Sequence, residues 1–184
     1  MGCIQSLAGK SQLYSDNRKQ LSVINESKYV TENRPELMEE HKQIVRETWN
    51  IIKLDISRIG VVVFMGLFEK YPDVQQLFVH FRGLSPDELQ NNMKLRDHGL
   101  RVLNTLDKCI TRIDETERLE KLLLELGQKH VIYKIKVEYL YLLVPQLQQA
   151  LMPVLGDSWT YLVESAWSAF LRYIIHIMAE GMVS

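Results

Sequence analysis

Two histidines, His98 and His130, are the residues whose type and placement most readily suggest chemistry in this chain. Each falls on the apolar stripe of a segment with helical periodicity. Between the segments lies a break of turn-forming and charged residues, Asp114-Glu115-Thr116-Glu117. Two helices joined by a short connection can face each other, so one imidazole from each can reach into a shared gap. A gap with imidazoles on opposite walls suits a planar iron porphyrin, whose axial ligands come from above and below. A lone histidine on an apolar face is more often a satisfied core residue, so the pair needs support from the elements that carry it.

Those elements read as helix after helix from Pro35 onward. Pro35 suits a first-turn position, and Ile44, Val45, Trp49 and Ile52 follow at helical spacing. A second helix is expected from about residue 56 to 71, with Ile59, Val62, Val63, Phe64, Leu67 and Phe68 mostly inward. Pro72 ends or redirects it, because Tyr71 before a proline is pushed away from helical angles. A short helical piece to Phe78 and a loop through His80, Arg82 and Gly83 come next. Ser85-Pro86-Asp87-Glu88 is a helix start with a Ser cap, a first-turn proline and a glutamate three residues on.

The helix so opened carries Leu95, His98, Val102, Thr105, Leu106 and Cys109 on one side. Asp114 and Glu117 repeat the cap pattern for the next helix, whose stripe is Leu119, Leu122, Leu123, Leu126 and His130. Two long helices, roughly 136–154 and 157–180, are separated by Gly156. No β-type alternation competes, and the expected fold class is all-α. Val102 lies one turn beyond His98 on the same face, while His130 projects past Leu126 near the end of its helix. Phe78 and Phe81, in the corner after Pro72, can supply an aromatic wall. Two imidazoles among Phe, Leu and Val make a pocket apolar enough to hold a porphyrin and keep water from iron.

At 184 residues the chain suits one domain plus a tail. Its net charge of -1 argues against nucleic acid as the main partner, because neutralising phosphates takes a basic excess. No apolar run reaches the ~18 residues of a membrane span. Cys3 and Cys109 are the only cysteines, which points to a reducing compartment without a disulfide framework or zinc site. With no secretory signal at the start, the expected location is cytoplasmic.

Residues 1–34 read as a flexible tail, and residues 35–181 as the folded domain. The start, Met1-Gly2-Cys3-Ile4-Gln5-Ser6, fits the N-myristoylation pattern. One myristoyl chain binds membranes only marginally, so a second anchor is needed. Cys3 could carry palmitate, and Lys10, Arg18 and Lys19 could add attraction to anionic lipid. The expected placement is therefore the cytoplasmic face of the plasma membrane.

The ordered set of Trp49, Pro72 with Phe78 six residues on, Asp97-His98, Leu126-Gly127-Gln128-Lys129-His130 and Trp167 resembles a globin. The 32 residues from His98 to His130 are the spacing of many vertebrate-type members. The chain is most similar to neuroglobin-like and globin X-like members, and its Gly2-Cys3 start resembles the lipid-anchored globin X group.

The resemblance implies a fold of about seven to eight helices around haem b. Phe78 matches the aromatic that stacks on haem, His98 the distal histidine, Val102 the distal apolar residue and His130 the proximal ligand. Phe64 falls where the distal pocket has an aromatic or a leucine. Arg101 matches a position that pairs with a haem propionate, and His80 lies where some members place a second propionate partner or simply a solvated histidine. His41 and His176 match nothing functional.

Within the expected long helix Pro145 would cost about 3 kcal/mol if truly interior, so a kink or a late helix start is expected there. Gly127 lowers the regularity of its helix by about 1 kcal/mol relative to alanine. Cys109 returns to nearly the face of His98 and is expected to pack as a small apolar residue.

The implied ligands are oxygen, carbon monoxide, nitric oxide or nitrite, held in competition with His98 in a six-coordinate resting state. That favours redox, nitrite or reactive-oxygen chemistry near a membrane, with a reductant partner, over bulk oxygen delivery. No nucleophile–base pair, Gly-rich phosphate loop or carboxylate cluster marks a dedicated catalytic site. The competing reading is a lipid-anchored signalling or interaction module on a globin fold, with haem absent or only sensed.

Overall fold

The computed structural model describes residues 34–183, so the tail and its Gly2 and Cys3 lie outside the described residues. Helix α1, Glu39–Ile52, begins after a non-helical stretch that contains Pro35, not at that proline as expected. Arg34, immediately before the proline, is held by Glu120 and Glu180 at 2.7 and 2.8 Å, which pins this stretch across two later helices. Glu39 and Glu40 then occupy the first turn, where carboxylates favour the positive end of the helix dipole. Val45, Trp49 and Ile52 are buried on one face.

After a 3-10 turn at Lys53–Asp55, α2 runs Ile56–Lys70 and stops at Tyr71, whose φ of -132° and ψ of 73° obey the restriction set by Pro72. Its inward face is as expected except for Val62, which is 47% exposed. The turn after it, α3 at Pro72–Gln75, is shorter than expected because the chain at 76–83 folds back. Buried Gln75 holds that corner by donating its amide to the carbonyls of Phe81 at 2.7 Å and Leu84 at 3.0 Å.

Ser85 caps α4, Pro86–Gln90, with the full capping box, and the same bonds hold the Glu88 carboxyl below the usual range. This helix does not continue to His98 as expected. A second cap intervenes: the Asn92 side chain accepts from the amides of Lys94 and Leu95 and opens α5, Met93–Thr111. Helix α6, Thr116–Ile132, also departs from expectation at its start. Asp114 does not cap it, because its carboxylate pairs with Arg46 of α1.

The expected long helix after His130 is interrupted. Segment α7, Val137–Tyr141, gives way at Leu142 to α8, Leu143–Leu155. Pro145 thereby falls third in α8, inside the first turn, where its missing N–H has no intrahelical partner to lose. A late start is the answer to the proline. A 3-10 turn at Gly156–Ser158 leads to α9, Tyr161–Val183. Taking α7 and α8 as one broken helix leaves eight among the described residues, all-α as expected.

The largest fully buried side chain is Trp167 of α9, its indole N–H donating at 3.0 Å to Thr48, itself bonded to the Ile44 carbonyl. Trp49 stands 6.1 Å from it and donates to Asp107 of α5 at 2.7 Å. These bonds let both indoles be buried without an unsatisfied N–H, and they lock α1 to α5 and α9. Helix α5 packs chiefly on α2, and α6 chiefly on α9, while α5 and α6 make no extensive contact with each other. The two histidine-bearing helices are separate walls.

Candidate functional site

The α2–α5 crossing is made by two glycines. A Cβ on Gly60 would lie 2.6 Å from the Gly99 carbonyl carbon, and one on Gly99 equally close to Gly60, so the backbones touch. Gly99 adjoins His98, and Phe64 lies one turn after Gly60. The close approach therefore brings Phe64 and His98 to 4.7 Å between ring centroids, edge to face. The α6–α9 crossing uses the same device. A Cβ on Gly127 would meet the Met178 carbonyl oxygen at 2.0 Å, and one on Gly181 would meet that of Leu124 at 2.3 Å. Gly127 stands three residues before His130. What lowers local helix propensity here lets each wall sit tight against its support.

His98 is enclosed by aromatic rings. Besides Phe64, Phe78 lies at 5.5 Å and Phe81 at 6.4 Å, and Phe78 and Phe81 stack on each other at 5.8 Å. Burial, then the positive charges of Arg101 and of His130, depress its pKa to about 4. No hydrogen bond to a protein group contributes to that shift. The imidazole is thus neutral at physiological pH with a lone pair to offer.

His130 is oriented differently. Its Nδ1 lies 2.8 Å from the Leu126 carbonyl, one turn earlier. A carbonyl only accepts, so Nδ1 carries a proton and Nε2 is the nitrogen left for a metal. This is how proteins fix the tautomer of a metal-binding imidazole.

The structure brings Phe64, Phe78, Phe81 and His98 together, with His130 and Arg101 close enough for their charges to reach His98. Val102, half-buried, packs against both apolar clusters of the core and so lies at their seam. His80 is not part of the ring cluster. It is exposed, with a ring nitrogen 3.2 Å from the Lys94 ammonium. Arg101 is exposed on the same helix as His98. Cys109 is fully buried, and burial raises its thiol to about 12, which makes it an inert apolar residue as expected. Among the described residues no group of three His, Cys, Asp or Glu could hold a metal without a further donor.

Sequence reasoning missed Gly60, Gly99 and Gly181 as positioning residues and treated Gly127 only as an irregularity. The readable signal was a glycine within a helix beside the apolar stripe, a sign of close backbone approach.

Fold and site together define an all-α protein with an imidazole on each of two separate helical walls, one of them set among phenylalanines. Residues 62–178 match the Globin family model, and the chain belongs to the globin family. It is 28% identical over 145 residues to cytoglobin-1 of Danio rerio, covering 77% of this chain and 83% of that protein. It is 27% identical over 146 residues to neuroglobin-2 of Oncorhynchus mykiss, covering 79% and 92%.

Among solved structures, a hexacoordinated heme protein from an anhydrobiotic tardigrade superposes with a TM-score of 0.77 at 21% identity, over 84% of this chain and all of that one. Haem is the cofactor of this family, and the donors present fit it: His130 with its Nδ1 engaged by the Leu126 carbonyl and its Nε2 left as the nitrogen for a metal, a neutral His98 and walls of phenylalanine and valine.

Proposed function

We propose that this chain is a membrane-tethered globin that binds haem between His130 and His98 and exchanges His98 for small gases. The carrying observation is the unequal restraint on the two imidazoles. His130 is locked by its bond to the Leu126 carbonyl, as a permanent ligand requires. Among the described residues His98 has ring contacts and no hydrogen bond, and it stays neutral, as a displaceable ligand requires. When bound, haem supplies an iron centre that takes oxygen, carbon monoxide, nitric oxide or nitrite and exchanges electrons.

The remaining residues exclude water and orient the cofactor. Phe78 would stack on the ring and Phe64 would close the distal side, with Val102 beside them. Arg101 would pair with one propionate, and His80, held near Lys94, would reach another. Because a gas must compete with His98, observed affinity falls by the fraction of molecules with His98 withdrawn. That arrangement favours redox, nitrite or reactive-oxygen chemistry with a reductant partner over bulk delivery. Acylation of Gly2 and Cys3 would place the protein on the cytoplasmic face of the plasma membrane.

Absorption spectra of the reduced haem-loaded chain, with and without carbon monoxide, test the site. A six-coordinate spectrum that becomes five-coordinate in His98→Leu, with haem lost in His130→Ala, is expected. A five-coordinate spectrum unchanged by His98→Leu refutes the exchange. Absence of a Soret band after reconstitution refutes haem binding altogether. Mass spectrometry of the N-terminal peptide from native tissue tests the tether, and unmodified Gly2 and Cys3 would remove it.

A further inference from the structure

Directly after His130, the end of helix α6 and its cap residue Tyr133 present three consecutive exposed apolar residues. Val131 is 47% exposed, Ile132 77% and Tyr133 74%. The stretch from Leu126 to Val137 that contains them carries Lys129, Lys134 and Lys136 and no carboxylate, with Glu125 and Glu138 lying just outside it, within a chain of net charge -1. All three lysines are exposed. Lys136 alone has an acidic neighbour, the buried Glu138 at a loose 3.8 Å.

The backbone of this corner is tightly specified. The amide of Ile135 donates to the His130 carbonyl at 3.2 Å and that of Lys134 to the Val131 carbonyl at 2.8 Å, the bond pair of a Schellman cap. Lys134 holds the left-handed position of that cap, with φ at 57°, and is the one described residue other than glycine with positive φ. Glycine normally fills this place, and an L-residue there costs about 1–2 kcal/mol. A long cation therefore occupies the position where the backbone least favours it.

From this juxtaposition we propose that the corner 129–136 is a docking face for an anionic lipid surface. Ile132 and Tyr133 enter the headgroup region, and the three lysines face the phosphates and carboxylates around them. An exposed aromatic–aliphatic tip flanked along the chain by exposed lysines is the chemistry of an interfacial contact, with each lysine contributing roughly fivefold to partition near such a surface. A protein partner fits less well. Lysine is depleted from protein interfaces, and three apolar residues fall far short of a standard interface of about 1,600 Å². Because the cap closes on the carbonyl of His130 itself, lipid contact would bear on the end of the helix that holds the proximal imidazole. The inference rests on the tethered reading for its setting, but the surface needs no acyl chain to act.

The test uses the full-length haem-loaded chain, made both without acylation and N-myristoylated, and sedimented with vesicles. The unacylated chain is expected to partition onto mixed phosphatidylserine–phosphatidylcholine vesicles and not onto phosphatidylcholine alone. The triple change Lys129→Gln, Lys134→Gln, Lys136→Gln should weaken this by roughly a hundredfold. The pair Ile132→Ser, Tyr133→Ser should weaken it by about tenfold or more. The pair Lys53→Gln, Lys108→Gln should leave it unchanged, and an unaltered Soret band shows that each variant is folded.

Partition that either patch variant leaves intact overturns the proposal, as does no partition of the unacylated chain. Retention by an acidic protein without vesicle binding overturns the lipid assignment. If the myristoylated chain binds equally with and without the patch changes, the tether stands and the patch falls. Patch-dependent binding with an unmodified native N-terminus gives the reverse result.

Discussion

Alanine at Gly60 should destabilise the fold, while alanine at Gly66, six residues on in the same helix, should not. Both glycines lie inside α2, so alanine raises local helix propensity by about 1 kcal/mol at each. At Gly66 the new Cβ would meet the Gln146 amide oxygen at 2.8 Å, the far end of a flexible side chain that can turn aside. At Gly60 it would lie 2.6 Å from the Gly99 carbonyl carbon and 2.8 Å from the Gly99 Cα, and neither can rotate away. Ordinary contact begins near 3.4 Å, so α2 and α5 must part by about 0.8 Å.

Overpacking of this kind typically costs about 1–3 kcal/mol, and a backbone clash belongs at the upper end. Net of propensity, Gly60→Ala should destabilise by about 2 kcal/mol, lowering Tm by roughly 4–8 °C for a domain of this size. Gly66→Ala should be neutral to about 1 kcal/mol more stable. Thermal unfolding of the two haem-loaded variants at one haem concentration reads both. Because Gly99 adjoins His98, the Gly60 variant should also show a smaller six-coordinate fraction in its reduced spectrum. Equal shifts of the same sign, or a Gly60 variant that gains stability, would refute the claim that this crossing sets the distal wall.

Acidification offers a second check. The folded pKa of His98 is depressed to about 4 from an ordinary 6.5, so its contribution is present above pH 6.5 and lost as pH falls toward 4. That amounts to about 3 kcal/mol at most in the cofactor-free chain, and His98→Leu should remove that much of the acid sensitivity in urea unfolding at a series of pH values. Thr48→Val keeps the shape but strips the acceptor from the buried Trp167 indole. A loss of about 1–3 kcal/mol is expected in the same assay, and no loss would mean the indole is satisfied elsewhere. Lys134→Gly relieves the left-handed lysine, and its unfolding midpoint should rise by the equivalent of about 1 kcal/mol; a fall would show that the cap is not strained.

Periodicity placed most helices and their buried faces, because Val45, Trp49 and Ile52 in one helix and Leu119 and Leu123 in another recur at intervals that a helix turns to one side. Boundaries were less legible where two local signals compete. Ser85 and Asn92 each cap a helix, and the first is the stronger motif, so the break between them stays hidden until both caps are seen in use. Asp114 reads as a cap because the sequence does not show Arg46 arriving from α1 to take its carboxylate. Pro145 was legible in kind, since no helix interior accommodates it without cost, but the place of the restart at Leu143 was not. The site was legible as a pair of histidines. The bond that makes them unequal was not, because it runs to a backbone carbonyl, which every residue possesses.

That inequality follows from how the two walls are supported. Helix α5 is pressed onto α2 through Gly60 and Gly99, and α6 onto α9 through Gly127 and Gly181. The walls themselves touch little, so each imidazole takes its position from a different pair of helices. A change at one wall need not be transmitted to the other. On the proximal wall a hydrogen bond to the Leu126 carbonyl fixes both the ring and its tautomer. On the distal wall the restraint is a set of edge-to-face contacts, each worth about 0.5–1.5 kcal/mol and each available in more than one ring orientation. Under the proposed function, exchange at the cofactor would therefore fall to His98. It would turn within its phenylalanines while His130 kept its place, and the strength of those ring contacts, more than any property of the proximal side, would set how readily a gas displaced it.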